Sequence, residues 1–192
     1  NRLAFKYFKL SADQGNDRAQ LMVGYFYHDG GNGVEQNLKE AFKYFKLSSD
    51  QDNADAQMNL GLAYKKGEAV DQNLEQAFNY FKLSADKGNA EAQYNLGLLY
   101  KDGLGVSQSY LDAFNYFKLS AEQRNAEAQL NLGLMYRDGL GVSQNYNEAL
   151  NYFKQSAEKK NSMAQLYLGL MYEKAIGVKQ DYYEAFKYFK LS

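Results

Sequence analysis

The stretch Ala77-Phe78-Asn79-Tyr80-Phe81-Lys82-Leu83-Ser84 decides the fold, because it returns as Ala113-Phe114-Asn115-Tyr116-Phe117-Lys118-Leu119-Ser120. Its alanine recurs at Ala4, Ala41, Ala77, Ala113, Ala149 and Ala185, in steps of 37, 36, 36, 36 and 36 residues. A second segment, Ala92-Gln93-Tyr94-Asn95-Leu96-Gly97-Leu98-Leu99-Tyr100, keeps the same phase, with alanines at Ala19, Ala56, Ala92, Ala128 and Ala164. Self-similarity at such a period marks an array in which each repeat stacks on its neighbours. The single extra residue lies between Tyr27 and Ala41, where Gly30-Gly31-Asn32-Gly33 is longer than Gly103-Leu104-Gly105. An insertion that leaves both segments in phase belongs in a loop.

Each period reads as two helices. Helix A places Ala92, Leu96, Leu99 and Tyr100 at helical spacing, and helix B does the same with Ala77, Tyr80, Phe81, Ser84 and Ala85. Asn16, Asn53, Asn89, Asn125 and Asn161 stand before the A helices as N-caps. Asn37, Asn73, Ser109, Asn145 and Asp181 stand before the B helices. Three residues later come Glu40, Gln76, Asp112, Glu148 and Glu184, the spacing of a capping box. Gly67, Gly103 and Gly139 close A helices, and Gly15 and Gly88 close B helices, as left-handed terminal residues. Asp52, Arg124 and Lys160 take the latter position elsewhere, which predicts strained or differently closed ends. Gly24, Gly61, Gly97, Gly133 and Gly169 sit inside the A helices, where glycine costs about 1 kcal/mol against alanine. Close approach of the paired B helix is the expected reason.

The pattern Ala-x-x-x-Leu-Gly-x-x-Tyr, then Gly-x-Gly-Val, then Ala-x-x-Tyr-Phe-x-x-Ser-Ala resembles Sel1-like repeats, relatives of the tetratricopeptide repeats. The match runs over nearly the whole chain and recurs five times. It departs locally, with Ala69 for the second loop glycine of one repeat and Ala175 for the first in the last. The resemblance implies an all-α fold, a right-handed α-solenoid of 36-residue helix-turn-helix repeats. It also implies an adaptor or scaffold role rather than catalysis. The expected layout is a leading B helix over 1–15, then repeats over 16–52, 53–88, 89–124, 125–160 and 161–192, part of a longer array.

Composition excludes other classes. The 192 residues carry 22 Lys+Arg against 23 Asp+Glu, so no basic face for nucleic acid or polybasic membrane anchor is expected. With no cysteine there are no disulfides, thiolate metal sites or thiol nucleophiles, and the cysteine-rich secreted branch of the family does not fit. One histidine makes no multi-histidine metal site. Apolar runs fall short of the ~18–20 residues of a membrane span, and no signal peptide is visible, which favours a cytoplasmic setting. Gly103-Leu104-Gly105-Val106 lacks the third glycine of a dinucleotide-binding turn and reads as a structural loop. His28-Asp29 has no nucleophile pattern beside it and suits a helix C-terminus. No cofactor and no catalytic or metal-ligating residue is assigned.

The candidate site is a set of rows along the A helices. Asn59, Asn95 and Asn131 hold one position, with Met22 and Tyr167 in its end-repeat copies. One turn earlier come Asp55, Glu91 and Glu127, and one turn later Ala63, Leu99 and Met135. In the related tetratricopeptide repeats the amide position faces the concave groove and holds peptide backbone. Acidic, amide and apolar rows together suit a protein or peptide with basic and apolar side chains. The amides could instead tie adjacent A helices together. A second surface, Phe42, Phe78, Phe114 and Phe186 with Leu47, Leu83, Leu119 and Leu191, is expected to pack against neighbouring repeats, an exposed stripe for self-association being the alternative. The function predicted is a non-catalytic interaction scaffold. The alternatives are the regulatory or targeting segment of a larger enzyme such as a kinase, and a structural solenoid assembling end to end.

Overall fold

In a computed structural model describing residues 2–31 and 33–192, the chain forms eleven helices, with no strand among the described residues beyond an isolated bridge between Gly31 and Val34. Asn1, the first residue of the expected leading helix, and Asn32 in the lengthened loop lie outside the described residues. The helices are α1 (Arg2–Asp13), α2 (Asp17–Asp29), α3 (Leu38–Ser49), α4 (Ala54–Lys66), α5 (Leu74–Asp86) and α6 (Ala90–Asp102). They continue with α7 (Tyr110–Glu122), α8 (Ala126–Asp138), α9 (Tyr146–Glu158), α10 (Ser162–Glu173) and α11 (Tyr182–Leu191). The even-numbered helices are type A and the odd-numbered ones type B, so the fold class is all-α repeat hairpins after a leading B helix. Packing groups the residues into two compact units, one running to Ala92 with Leu104–Val106, the other Gln93–Gly103 with Ser107–Ser192.

Every expected N-cap forms. Asn16 accepts from the Ala19 N–H at 2.8 Å and Asn125 from that of Ala128 at 2.9 Å. Asn73 accepts from the Gln76 N–H at 2.9 Å, and Ser109 from that of Asp112 at 3.2 Å. The capping boxes close differently from expectation. The backbone N–H groups of Asn37, Asn73, Ser109, Asn145 and Asp181 donate to the carbonyls of Tyr27, Tyr64, Tyr100, Tyr136 and Tyr172 at 2.8–3.1 Å. That single proton is already taken, so the Glu or Gln three residues on has no donor to reach back to. The bond joins the end of each A helix to the start of its B helix.

The mid-helix glycines have the expected cause. A Cβ on Gly61, Gly97 or Gly133 would lie 2.5 Å from ring atoms of Phe81, Phe117 or Phe153, each fully buried in the paired B helix. One turn away the hairpin tyrosines stack: Tyr64 on Tyr80, Tyr100 on Tyr116, and Tyr136 on Tyr152, with centroids 5.6–5.7 Å apart and rings within 12° of parallel. Buried serines of helix B then tie back to a first-turn A-helix carbonyl, Ser84 to Ala54 at 2.7 Å and Ser156 to Ala126 at 2.7 Å.

Asp52, Arg124 and Lys160 keep the left-handed conformation of Gly15 and Gly88, with φ of 69°, 65° and 63°. Ala69 and Ala175 likewise hold φ of 66° and 57°, so those turns keep their shape at some strain instead of distorting.

The second surface divides. Phe42 and Phe114 pack edge-on against Tyr64 and Tyr136 of the next A helix, as expected of packing residues, whereas Phe186 of the last helix is 67 % exposed. Leu47, Leu83, Leu119 and Leu191 do not pack: they are 40–58 % exposed. The reason is angular, since six residues of α-helix rotate a side chain about 240° from the buried alanine.

Gly133→Ala should destabilise the chain by about 1–3 kcal/mol despite a helix-propensity gain of about 1 kcal/mol, because the Phe153 ring has nowhere to go. Gly133→Ala combined with Phe153→Leu should recover part of the loss in urea unfolding. Arg124→Gly and Lys160→Gly should each stabilise by up to about 1 kcal/mol, through relief of left-handed strain less the unfolded-state entropy of glycine. A lower unfolding midpoint in either glycine variant would contradict the strain assignment.

Candidate functional site

Within each unit the A helices lie side by side, and polar side chains of the candidate rows join them. In the first unit the Asn59 amide of α4 donates to the Tyr25 hydroxyl of α2 at 3.0 Å and to the Asp55 carbonyl at 2.7 Å. In the second, the Asn131 amide donates to the Glu127 carbonyl at 2.9 Å, and the Lys101 ammonium of α6 donates to the Asn131 carbonyl oxygen at 3.5 Å. Tyr167 of α10 stacks on Phe153 with centroids 5.3 Å apart and lies beneath the Arg137 guanidinium of α8 at 4.9 Å. The amide row therefore ties neighbouring A helices. Asn59 is half-buried, whereas Asn95 and Asn131 are only 5 % and 8 % exposed.

The acidic row is solvent-facing. Asp55, Glu91 and Glu127 are all exposed. Asp55 and Glu127 also anchor the next repeat: Asn89 donates its side-chain amide to Asp55 at 2.8 Å, and Asn161 donates to Glu127 at 2.8 Å. Asn53 does the same to Asp17 at 2.9 Å. These asparagines accept an N–H as caps with one end of the amide and donate to a carboxylate with the other.

The apolar row is a correction. Leu99 is 0 % and Met135 2 % exposed, so neither offers a side chain to a partner. Met135 belongs to a core cluster with Phe117 and Leu132. The neighbouring amide row is itself largely covered at Asn95 and Asn131, and one helical turn on the side chains are fully in the core. Sequence reasoning also missed the loop glutamines. Gln72, Gln108 and Gln144 donate to the carbonyls of Lys65, Lys101 and Arg137 at 2.7–2.8 Å, and their recurrence at one repeat position was the available signal.

His28 pairs with adjacent Asp29 at 2.7 Å near the end of α2, an exposed arrangement. Among the described residues no group of three or more His, Cys, Asp or Glu is placed to hold a metal ion, and no helix is long and apolar enough to cross a membrane.

Burial dominates the electrostatics of the face. It pushes the Tyr25 hydroxyl above its ordinary value of 10.0, opposed by the hydrogen bond from Asn59. Burial, then the Glu127 charge, raises that of Tyr94, while Asn131 opposes. Tyr80, Tyr136, Tyr152 and Tyr188 are raised by burial as well.

A family model described as the Sel1 repeat matches residues 1–16, 17–53, 54–89, 90–125, 126–161 and 162–192, in register with the helix pairs. A search of the curated proteins found no match. Among solved structures, the chain is similar to a protective antigen with an SLR fold present in uropathogenic Escherichia coli strains, at 32 % identity and a TM-score of 0.90. That alignment covers 98 % of this chain and 40 % of the antigen, so the chain spans well under half of that relative's length. A Sel1 repeat protein from Oxalobacter formigenes aligns at 34 % identity and a TM-score of 0.88, over 93 % of this chain and 70 % of the other. An immunity protein from Pseudomonas aeruginosa aligns at 21 % identity and a TM-score of 0.63, over 97 % and 71 % respectively, a likeness of fold alone.

The raised tyrosine values make a pH prediction. A folded-state value above the unfolded one stabilises fully below the unfolded pKa, near ~10, and the stabilisation is lost as pH rises through the folded values. The urea midpoint should hold between about pH 7 and 9 and fall above about 10. Tyrosinate absorbance should develop at higher pH in folded than in urea-unfolded chain; coincident titrations would contradict the burial assignment.

Proposed function

The chain belongs to the Sel1 repeat family, and from that premise we propose that it is a non-catalytic protein-interaction scaffold whose A-helix face binds a peptide segment rich in Lys or Arg. The observation that carries this reading is the exposed carboxylate at one position of the A helices of each unit, Asp55 and Glu91 in the first and Glu127 in the second. Packing alone does not require a carboxylate there: Arg18 and Met163 occupy the same position in the end repeats. A carboxylate accepting one amide hydrogen bond keeps further lone pairs for a guanidinium or ammonium. Both N–H groups of Asn59 are engaged, so its carbonyl oxygen is the end that receives a main-chain N–H from the ligand. Asn95, Asn131 and the ring of Tyr167 contribute mainly by holding the A helices in register, with Tyr167 offering a partly open aromatic edge beside Arg137.

The test uses a random peptide library selected on the wild-type chain. The triple variant Asp55→Asn, Glu91→Gln and Glu127→Gln keeps side-chain shape and removes charge. It should weaken the selected peptides by roughly two- to tenfold at low salt, since each exposed ion pair lost contributes about 0.2–1 kcal/mol. Wild-type affinity should also fall as salt rises. Equal affinity of wild type and variant for all selected peptides would overturn the assigned face.

A further inference from the structure

A cavity of about 90 Å³ lies in the first unit among α2, α3 and α4, beside Asn59. Its walls are Ala41, Phe42, Phe45, Leu62 and Ala63, and its mouth carries His28, Asn59, Lys66 and Glu68. The volume exceeds the ~10–15 Å³ needed to seat one water-sized group several times over.

The other repeats explain the space. Where α4 has Ala63, the later A helices have Leu99, Met135 and Met171, exposed by 0 %, 2 % and 2 %. Where the following loop has Glu68, the later loops have Leu104, Leu140 and Ile176. Leu140 and Ile176 pack against the core clusters that hold Met135 and Met171. The backbone is the same throughout: the N–H of Glu68, Leu140 and Ile176 each bonds to the carbonyl of Ala63, Met135 and Met171 at 3.0 Å. Two apolar side chains that fill the equivalent place beside α8 and α10 are thus shortened or replaced by charge beside α4, whereas Leu104 of the intervening loop is itself 40 % exposed. Glu68 turns to Lys66, 3.5 Å away, and stays at the rim.

We propose that this cavity is a socket for one aliphatic side chain, Leu, Ile or Met, of the peptide bound along α4. The proposal rests on the binding face described above and supplies its apolar anchor, which the buried Leu99 and Met135 cannot provide. The occupant's size follows from what is missing, the three heavy atoms by which Leu or Met exceeds Ala. Its chemistry follows from the apolar walls, and its main chain is placed by Asn59 at the mouth. The rim pair Lys66–Glu68 keeps the opening wet and selects against a charged side chain entering it.

Two measurements decide it. Xenon added to the wild-type chain should shift the methyl resonances of Ala63, Ala41 and Leu62, and Ala63→Met, which installs the residue of the later repeats, should abolish the shifts. Peptides selected on the wild type should carry an aliphatic residue whose replacement by Ala lowers affinity roughly 10- to 50-fold, the range for losing about three buried carbons. Ala63→Met should lower the affinity of the parent peptide equally, with no further loss for the Ala-replaced peptide. Glu68→Leu, which closes the space from the loop side, should act in the same direction. Absence of xenon shifts, or full retention of peptide affinity by Ala63→Met, overturns the socket. If the carboxylate variant still weakens binding in that case, the face stands without it; if no library peptide binds the wild type, both readings fall.

Discussion

The contact between the A-helix glycine and the B-helix phenylalanine governs every hairpin. With no Cβ at Gly61, Gly97 or Gly133, the partner ring lies against the helix backbone itself. The two helices are thereby drawn close enough for paired tyrosines to stack and for the B-helix N-cap to donate to the last A-helix tyrosine carbonyl. Buried serines such as Ser84 and Ser156 then reach the A-helix carbonyls of their own units. These bonds satisfy helix-end and side-chain groups that would be costly if buried alone. The helix-propensity penalty of glycine is accepted because dispersion and ring burial at the same point outweigh it.

Side chains between repeats serve more than one purpose. Asparagine caps the A helices at all five positions, whereas asparagine, serine and aspartate alternate before the B helices. The difference has a physical basis. Asn53, Asn89 and Asn161 accept an N–H and also donate to an acid of the preceding repeat, which serine and aspartate cannot do in the same geometry. The acidic row is therefore both a connector and an exposed charged surface. The amide row leans further toward connection, since Asn131 is engaged by both Glu127 and Lys101.

The helices, caps and strained turns were legible because each depends on local spacing or on one residue's backbone preference. Asp52, Arg124 and Lys160 stood at a glycine position in the repeat, and the chain holds them in a glycine conformation. The candidate site was only half legible. A position along an A helix gives the direction of a side chain, and Asp55 and Glu127 do point to solvent. How deeply the next helix covers that direction is a tertiary quantity, and it put Leu99 and Met135 in the core. Leu83 and Leu119 differ for another reason: their apolar chemistry suggested packing, while their angle on helix B, already set by spacing, leaves them in solvent.

The amino-acid sequence by itself determined the repeat, its helical hairpins, their caps and the glycine at each close approach, because these follow from period, hydrogen-bonding capacity and steric size along one chain. Tertiary structure decided which members of each row remain at the surface, how the amides are shared between neighbours, and where Ala63 with Glu68 leaves space. Those outcomes depend on distances between residues on different helices, far apart in the chain, and such distances exist only once the helices have packed.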